Sequence, residues 1–166
     1  MAIREIRKIG DPILRKVSKP VKNFDEKLHI LLDDMRETLK KCEGLGLAAP
    51  QVGILKRVFI IEYVNEKTDE HIYIEAINPE IVSQKGSQTG SEGCLSVPEE
   101  SYDVTRPKKV VLKAFDRYGN EFSLKGEDLM ARAFCHEYDH LDGTLYVDKL
   151  EGDERERRYK EGFIED

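Results

Sequence analysis

Phe24, Leu28, Leu31, Leu32, Met35, Leu39 and Cys42 recur every three or four positions, the spacing of one helical face, and predict a helix over residues 25–42. Asp25 stands where a cap belongs and Gly44 where a helix stops. Cys42 closes the apolar stripe and reads as a core thiol. Ahead of this helix, Asp11-Pro12 predicts a short helical turn. Beyond Pro50 the period changes. RVFIIEYV (57–64), HIYIEAINPEIV (71–82), KKVVLKAFD (108–116) and EFSLKG (121–126) are rich in β-branched and aromatic residues and predict strands. Residues 116–120 form the expected hairpin turn between the last two. A second helix is predicted over 127–141, ending near Gly143, then a short strand over 145–150 and a charged helix or tail over 151–166. Helices flanking antiparallel or mixed strands describe one α+β domain spanning 1–166, with the strands packed around the second helix.

Composition narrows this picture by exclusion. A chain of 166 residues buries a full core without disulfide staples, and 39% hydrophobic residues suit a globular domain. No apolar run reaches the length of a membrane span, and the opening MAIREIRKIGDP is too charged for a signal peptide, so a cytoplasmic location is expected. The net charge of -6 argues against a DNA or general nucleic-acid binder, and the basic cluster Arg106, Lys108 and Lys109 reads as a solvated face. Three cysteines cannot all pair, which leaves at least one as a ligand or free thiol.

HEYDH, residues 136–140, lies on the second helix. Positions i and i+4 share a face, so His136 and His140 can reach one divalent metal ion, and Glu137 can accept a proton from water beside it. A catalytic site commonly has three protein ligands. No histidine follows His140, and the carboxylates beyond it lie in the charged tail, so the third ligand is sought upstream. Cys94, in Ser91-Glu92-Gly93-Cys94-Leu95-Ser96-Val97-Pro98, is the best candidate, since a thiolate binds the metals that imidazole favours. Cys135 lies about 100° away around the helix from His136 and reads as a small buried side chain. Asp139 and Asp142 point off the ligand face and suit supporting or capping roles. The run 44–53 is glycine-rich but lacks the Lys-Ser/Thr of a phosphate loop; Gln51 in it can offer an amide N–H to a developing oxyanion.

Together these segments resemble the peptide deformylase family, whose signatures GxGLAAxQ, EGCLS and HExDH appear here as Gly44 to Gln51, Glu92 to Ser96 and His136 to His140. The resemblance covers about residues 9–150. It implies a hydrolase acting on the N-formyl-methionine of newly made polypeptides, releasing formate, with Cys94, His136 and His140 on the metal. Fe(II) is the native ion it implies, with zinc or nickel in purified protein. It further implies Glu137 as general base and then acid, and the Gln51 amide and Leu95 N–H as oxyanion donors. Gly46 would contact the peptide backbone, Leu45, Leu129, Ala133 and Tyr138 would surround the methionine, and Glu92 would pair with Arg106 behind the site.

The chain departs from the family pattern at Cys135, where glutamine is common, and at Tyr138, where an aliphatic residue is expected. Its last segment is more acidic than basic, which does not support a docking helix on ribosomal RNA. Two rival readings remain. A peptidase of the H-E-x-x-H class would lack its downstream ligand, and a metal-binding module without catalysis would need neither Glu137 nor Gln51.

Overall fold

Asp11 accepts the Ile13 N–H at 3.0 Å and Pro12 fills the first position of a 3-10 turn over Pro12–Arg15, as predicted. The computed structural model describes residues 2–150; the charged segment expected over 151–166 lies outside the described residues. Helix α1, Glu26–Cys42, opens on Asp25, whose carboxylate accepts the Leu28 N–H at 3.1 Å. Leu28, Leu31, Leu32, Met35 and Leu39 are buried along its apolar stripe. Two details differ from expectation. The left-handed residue that ends α1 is Glu43, at φ 55, and not Gly44. Cys42 is exposed, because the last turn of α1 presents Lys40, Lys41 and Cys42 to solvent, so it is not a core thiol.

Seven strands follow: β1 (Gly46–Ala48), β2 (Val58–Val64), β3 (His71–Lys85), β4 (Gln88–Cys94), β5 (Val97–Arg106), β6 (Lys109–Phe115) and β7 (Glu121–Glu127). Helix α2, Leu129–Leu141, closes the α+β domain. Five strands form an antiparallel sheet in the order β1-β2-β3-β6-β7, while among the described residues β4 and β5 pair only with each other. Strand β2 explains the layering. Val58 and Ile60 join the cluster around α1, whereas Phe59 and Ile61 join the cluster around α2. Alternate side chains point to opposite faces, so a strand covered by a helix on each side must be apolar throughout.

Strand β3 is longer than predicted and carries register breaks near Asn78-Pro79. Asn78 has φ 50, and its side chain bonds both Val21 N–H at 2.7 Å and Val21 C=O at 3.0 Å. The break thus re-aims the strand and moors the chain ahead of α1.

The β4–β5 hairpin was not expected, nor was β1. Polar residues, glycine and proline dominate β4 and β5, and little beyond Glu92, Val97, Val104 and Arg106 is buried along them. Arg106 is therefore not on a solvated face: it is 5% exposed and paired with Glu92. A third cluster joins Leu14, Val97, Val104, Leu145, Tyr146 and Val147 beneath this hairpin. Residues 145–150 do not form a strand. Tyr146–Lys149 is a 3-10 turn whose Leu145 N–H is held by Asp148 at 2.9 Å, and consecutive Tyr146 and Val147 are both buried, which an alternating strand with one solvent face would not do. Helix α2 begins two residues later than predicted because β7 runs on to Glu127 and Asp128 turns the chain at φ 54.

Candidate metal centre

Two elements far apart in sequence meet here. Helix α2 sets His136 and His140 one turn apart, with ring centroids 5.0 Å from each other. Cys94 ends β4 at the tight turn into β5, where it pairs with Val97. Its Sγ lies 3.4 Å from His140 Nε2. One ligand atom from each of Cys94, His136 and His140 falls within 4.8 Å of the others.

The His136 ring is oriented from behind. Its Nδ1 lies 2.8 Å from Glu92 Oε1, which leaves Nε2 to face the cluster. Glu92 also takes a two-pronged bond from Arg106, at 2.9 Å to each oxygen, and a 2.5 Å bond from Arg132 Nη1. Arg106 in turn reaches Asp139 at 2.6 Å. The expected Glu92–Arg106 pair is present, and Asp139 extends it. Asp142 follows α2 directly, its carboxylate 3.0 Å from Arg57. Burial opposes the charged form of Glu92, but Arg106 and His136 outweigh it and hold the carboxyl well below its ordinary range.

Glu137 is 4% exposed, and its buried Oε1 has no hydrogen-bond partner among the described residues. Burial pushes its pKa up to about 7. Burial also opposes the charged form of His136, but the Glu137 carboxylate and bonds from Cys94 and Glu92 raise its pKa. That of His140 is lowered, by burial and then by His136. Gly46 makes room for Glu137: a Cβ there would stand 2.5 Å from Glu137 Oε2.

Gln51 is buried behind Cys94. Its Oε1 accepts the Ala48 N–H at 2.9 Å, which fixes the amide so that Nε2 faces Ser96 Oγ at 3.1 Å and Cys94 Sγ at 3.5 Å. Cys135 is the small buried side chain expected, and burial raises its thiol pKa to about 11.

A cavity of about 580 Å³ opens over this cluster, lined by Leu45, Gly46, Cys94, Leu95, Leu129, Ala133, His136 and Glu137 among others. Tyr138 does not line it. One residue past Glu137 on the helix, it packs into the core cluster around α2 with its ring beneath Arg57, 5.6 Å from the guanidinium carbon. Arg132, Ser96 and Lys8 are contributors that the sequence did not flag; Arg132 sits one turn before His136, a spacing that gives its helix face but not its partner Glu92.

The donor set suits a divalent ion. A thiol and two imidazoles converge, one imidazole backed by a carboxylate, and an unpartnered carboxylate oxygen stands beside them.

The sequence profile of the polypeptide deformylase family matches residues 3–156. A peptide deformylase of Caldicellulosiruptor bescii is 55% identical over 150 residues, covering 90% of this chain and 87% of that protein. One from Acetivibrio thermocellus is 51% identical over 162 residues, covering 95% and 92%. Among solved structures, a peptide deformylase from Legionella pneumophila superposes with a TM-score of 0.88 at 44% identity, covering 96% of this chain and 92% of that one. That of Ehrlichia chaffeensis in complex with actinonin gives 0.89 at 34% identity, covering 98% and 96%.

Proposed function

This chain belongs to the peptide deformylase family, and from that membership we propose that Cys94, His136 and His140 hold one divalent metal ion while Glu137 handles the proton. The reaction is removal of the formyl group from the amino terminus of nascent polypeptides. One observation carries the assignment of residues: the three ligand atoms lie within 4.8 Å of each other, beside a buried glutamate, at the wall of a cavity large enough for a side chain and a peptide backbone.

An ion held by Cys94, His136 and His140 would supply Lewis acidity to water and to the formyl oxygen. Glu137 takes the proton of the attacking water, whose oxygen joins the formyl carbon. As the carbon–nitrogen bond breaks, Glu137 returns that proton to the departing amine, leaving formate and a free amino terminus. The Leu95 backbone N–H and the Gln51 amide hold the negative charge that develops on the formyl oxygen. Gly46 supplies a backbone contact to the peptide, and Leu45, Leu129 and Ala133, all on the cavity wall, surround the methionine side chain. Glu92 and Arg106 hold His136 from behind.

The donor set suits iron, zinc and nickel alike, and family resemblance puts Fe(II) first. The substrate carries N-formyl-methionine, and the site of action is the cytoplasm, where such chains emerge. No helix among the described residues is long and apolar enough to cross a membrane.

The test is an anaerobic formate-release assay on formyl-methionyl peptides, paired with metal analysis of the same sample. Iron with activity lost on exposure to air is the expected result; full activity of an iron-free, air-exposed sample would overturn the Fe(II) assignment. Glu137→Ala is expected to keep its metal and lose at least about 10²-fold in turnover. Cys94→Ala is expected to lose metal affinity. A Glu137→Ala enzyme running at the parent rate would remove Glu137 from the proton path.

A further inference from the structure

The carboxylate behind His136 is held by three side chains, His136, Arg106 and Arg132. Glu92 is 5% exposed, and each of its oxygens accepts two hydrogen bonds. Oε1 takes His136 Nδ1 at 2.8 Å and Arg106 Nη2 at 2.9 Å. Oε2 takes Arg106 Nε at 2.9 Å and Arg132 Nη1 at 2.5 Å. Arg106 is shared, since its Nη1 also donates to Asp139 at 2.6 Å. Arg132 is a second buried guanidinium on a carboxylate already paired, and desolvating such a cation is costly.

Its place in the chain accounts for it. Arg132 sits one turn before His136, and the same Nη1 also donates to Val104 C=O at 2.9 Å, on β5. The turn of α2 that presents His136 is thereby tied to Glu92 on β4 and to the backbone of β5. Arg106 grips the carboxylate as one fork, about which it can pivot; His136 and Arg132, bonded to opposite oxygens, stop that pivot from both sides.

We propose that Arg132 is a positioning residue for the metal ligand His136, acting through Glu92; this rests on the Cys94, His136 and His140 ligand set. Removing Arg132 frees Glu92 to swing about Arg106 and carry the His136 ring off the line to the ion. Partners that orient ligands in this way typically change metal affinity about 10–100-fold.

Parent protein, Arg132→Met, Arg132→Gln and Arg132→Lys are stripped of metal and titrated with CoCl2 against a competing chelator, with the visible spectrum recorded and folding checked by circular dichroism. Arg132→Met keeps the length of the side chain and loses its donors. It is expected to bind Co(II) about 10–100-fold more weakly, with shifted visible bands. Turnover on a formyl-methionyl peptide is expected to fall with KM unchanged, and the lysine variant to recover part of the affinity. Arg132→Gln carries the same expectation if the methionine variant does not fold. Parental affinity and spectrum in whichever neutral variant folds would overturn the proposal. So would a rise in KM with Co(II) binding intact, which would make Arg132 a cavity-wall residue only. A parent protein that binds no Co(II) would instead overturn the ligand set itself.

Discussion

Gly46 is where a single atom decides the outcome. A methyl group there would meet the Glu137 carboxylate at 2.5 Å from Oε2 and 2.9 Å from its carbon. Alanine must therefore push the Glu137 carboxylate aside, and for a residue with the proposed role a displacement near 1 Å costs about 10²-fold in rate. We expect Gly46→Ala to lower kcat by roughly that factor in a formate-release assay. A variant within tenfold of the parent would show that Glu137 tolerates the shift. A second residue sets acid stability. Glu62 accepts Arg36 at 3.0 and 2.7 Å and lies 2.6 Å from His71 Nε2; the Arg36 bond is the main reason its pKa is lowered. Its folded value lies below its unfolded one of about 4.3, so its contribution is present above that pH and is lost as pH falls through the folded value. Glu62→Gln should thus melt below the parent at pH 7 and approach it under strongly acid conditions. Parallel melting curves across that range would sink the assignment. At this scale the convergence of Cys94, His136 and His140 was legible, because i, i+4 spacing and a thiol are chemistry written in the order of residues. Arg132 was not, because a cation on a helix reads as a solvent-facing residue unless its partner, Glu92, is known to fold against it. Tyr138 failed for a related reason: resemblance gave it a neighbourhood, and only the rotation of α2 shows that it faces the core.

Strand β2 shows what periodicity reveals in an element and what it hides. The run VFII announces a strand but not which side chain faces which helix. Phe59 turns out to be fully buried beside α2, paired with Ala48 and Ala76 on the flanking strands. Two alanines beside an aromatic ring leave nothing large to refill its place. Phe59→Ala should destabilise the fold by about 3–5 kcal/mol in urea unfolding, with the loss expressed in the midpoint and not the slope. A loss under about 1 kcal/mol would mean the two helices close over the gap. The β4–β5 hairpin was hidden because its strands are stabilised by a charged cluster and by Leu145 to Val147 underneath, neither of which leaves a period in its own sequence.

At the scale of the molecule, the site spans two bodies of structure. Cys94 and Glu92 belong to the hairpin, His136 and His140 to the helix packed on the main sheet. A metal ion joining them should protect the hairpin most. Hydrogen exchange of stripped and Zn(II)-loaded protein is expected to differ in β4, β5 and the last turns of α2, while β2, β3 and β6 exchange equally slowly in both. Uniform slowing across all strands would contradict this division. The fold class was legible because long periodic segments declare themselves; the division was not, since no composition shift marks where the chain leaves one sheet for another.

That departure has a consequence in time. β3 pairs directly with β6, so the main sheet is continuous without the hairpin, although the hairpin lies between them in sequence. The two core clusters around α1 and α2 have no buried member from residues 88–106, so Cys94 stands outside the body that carries His136 and His140. Acquisition of the ion is then expected to follow folding instead of directing it. A cell short of metal would accumulate folded, idle enzyme ready to be charged, and not a pool of chains marked for degradation.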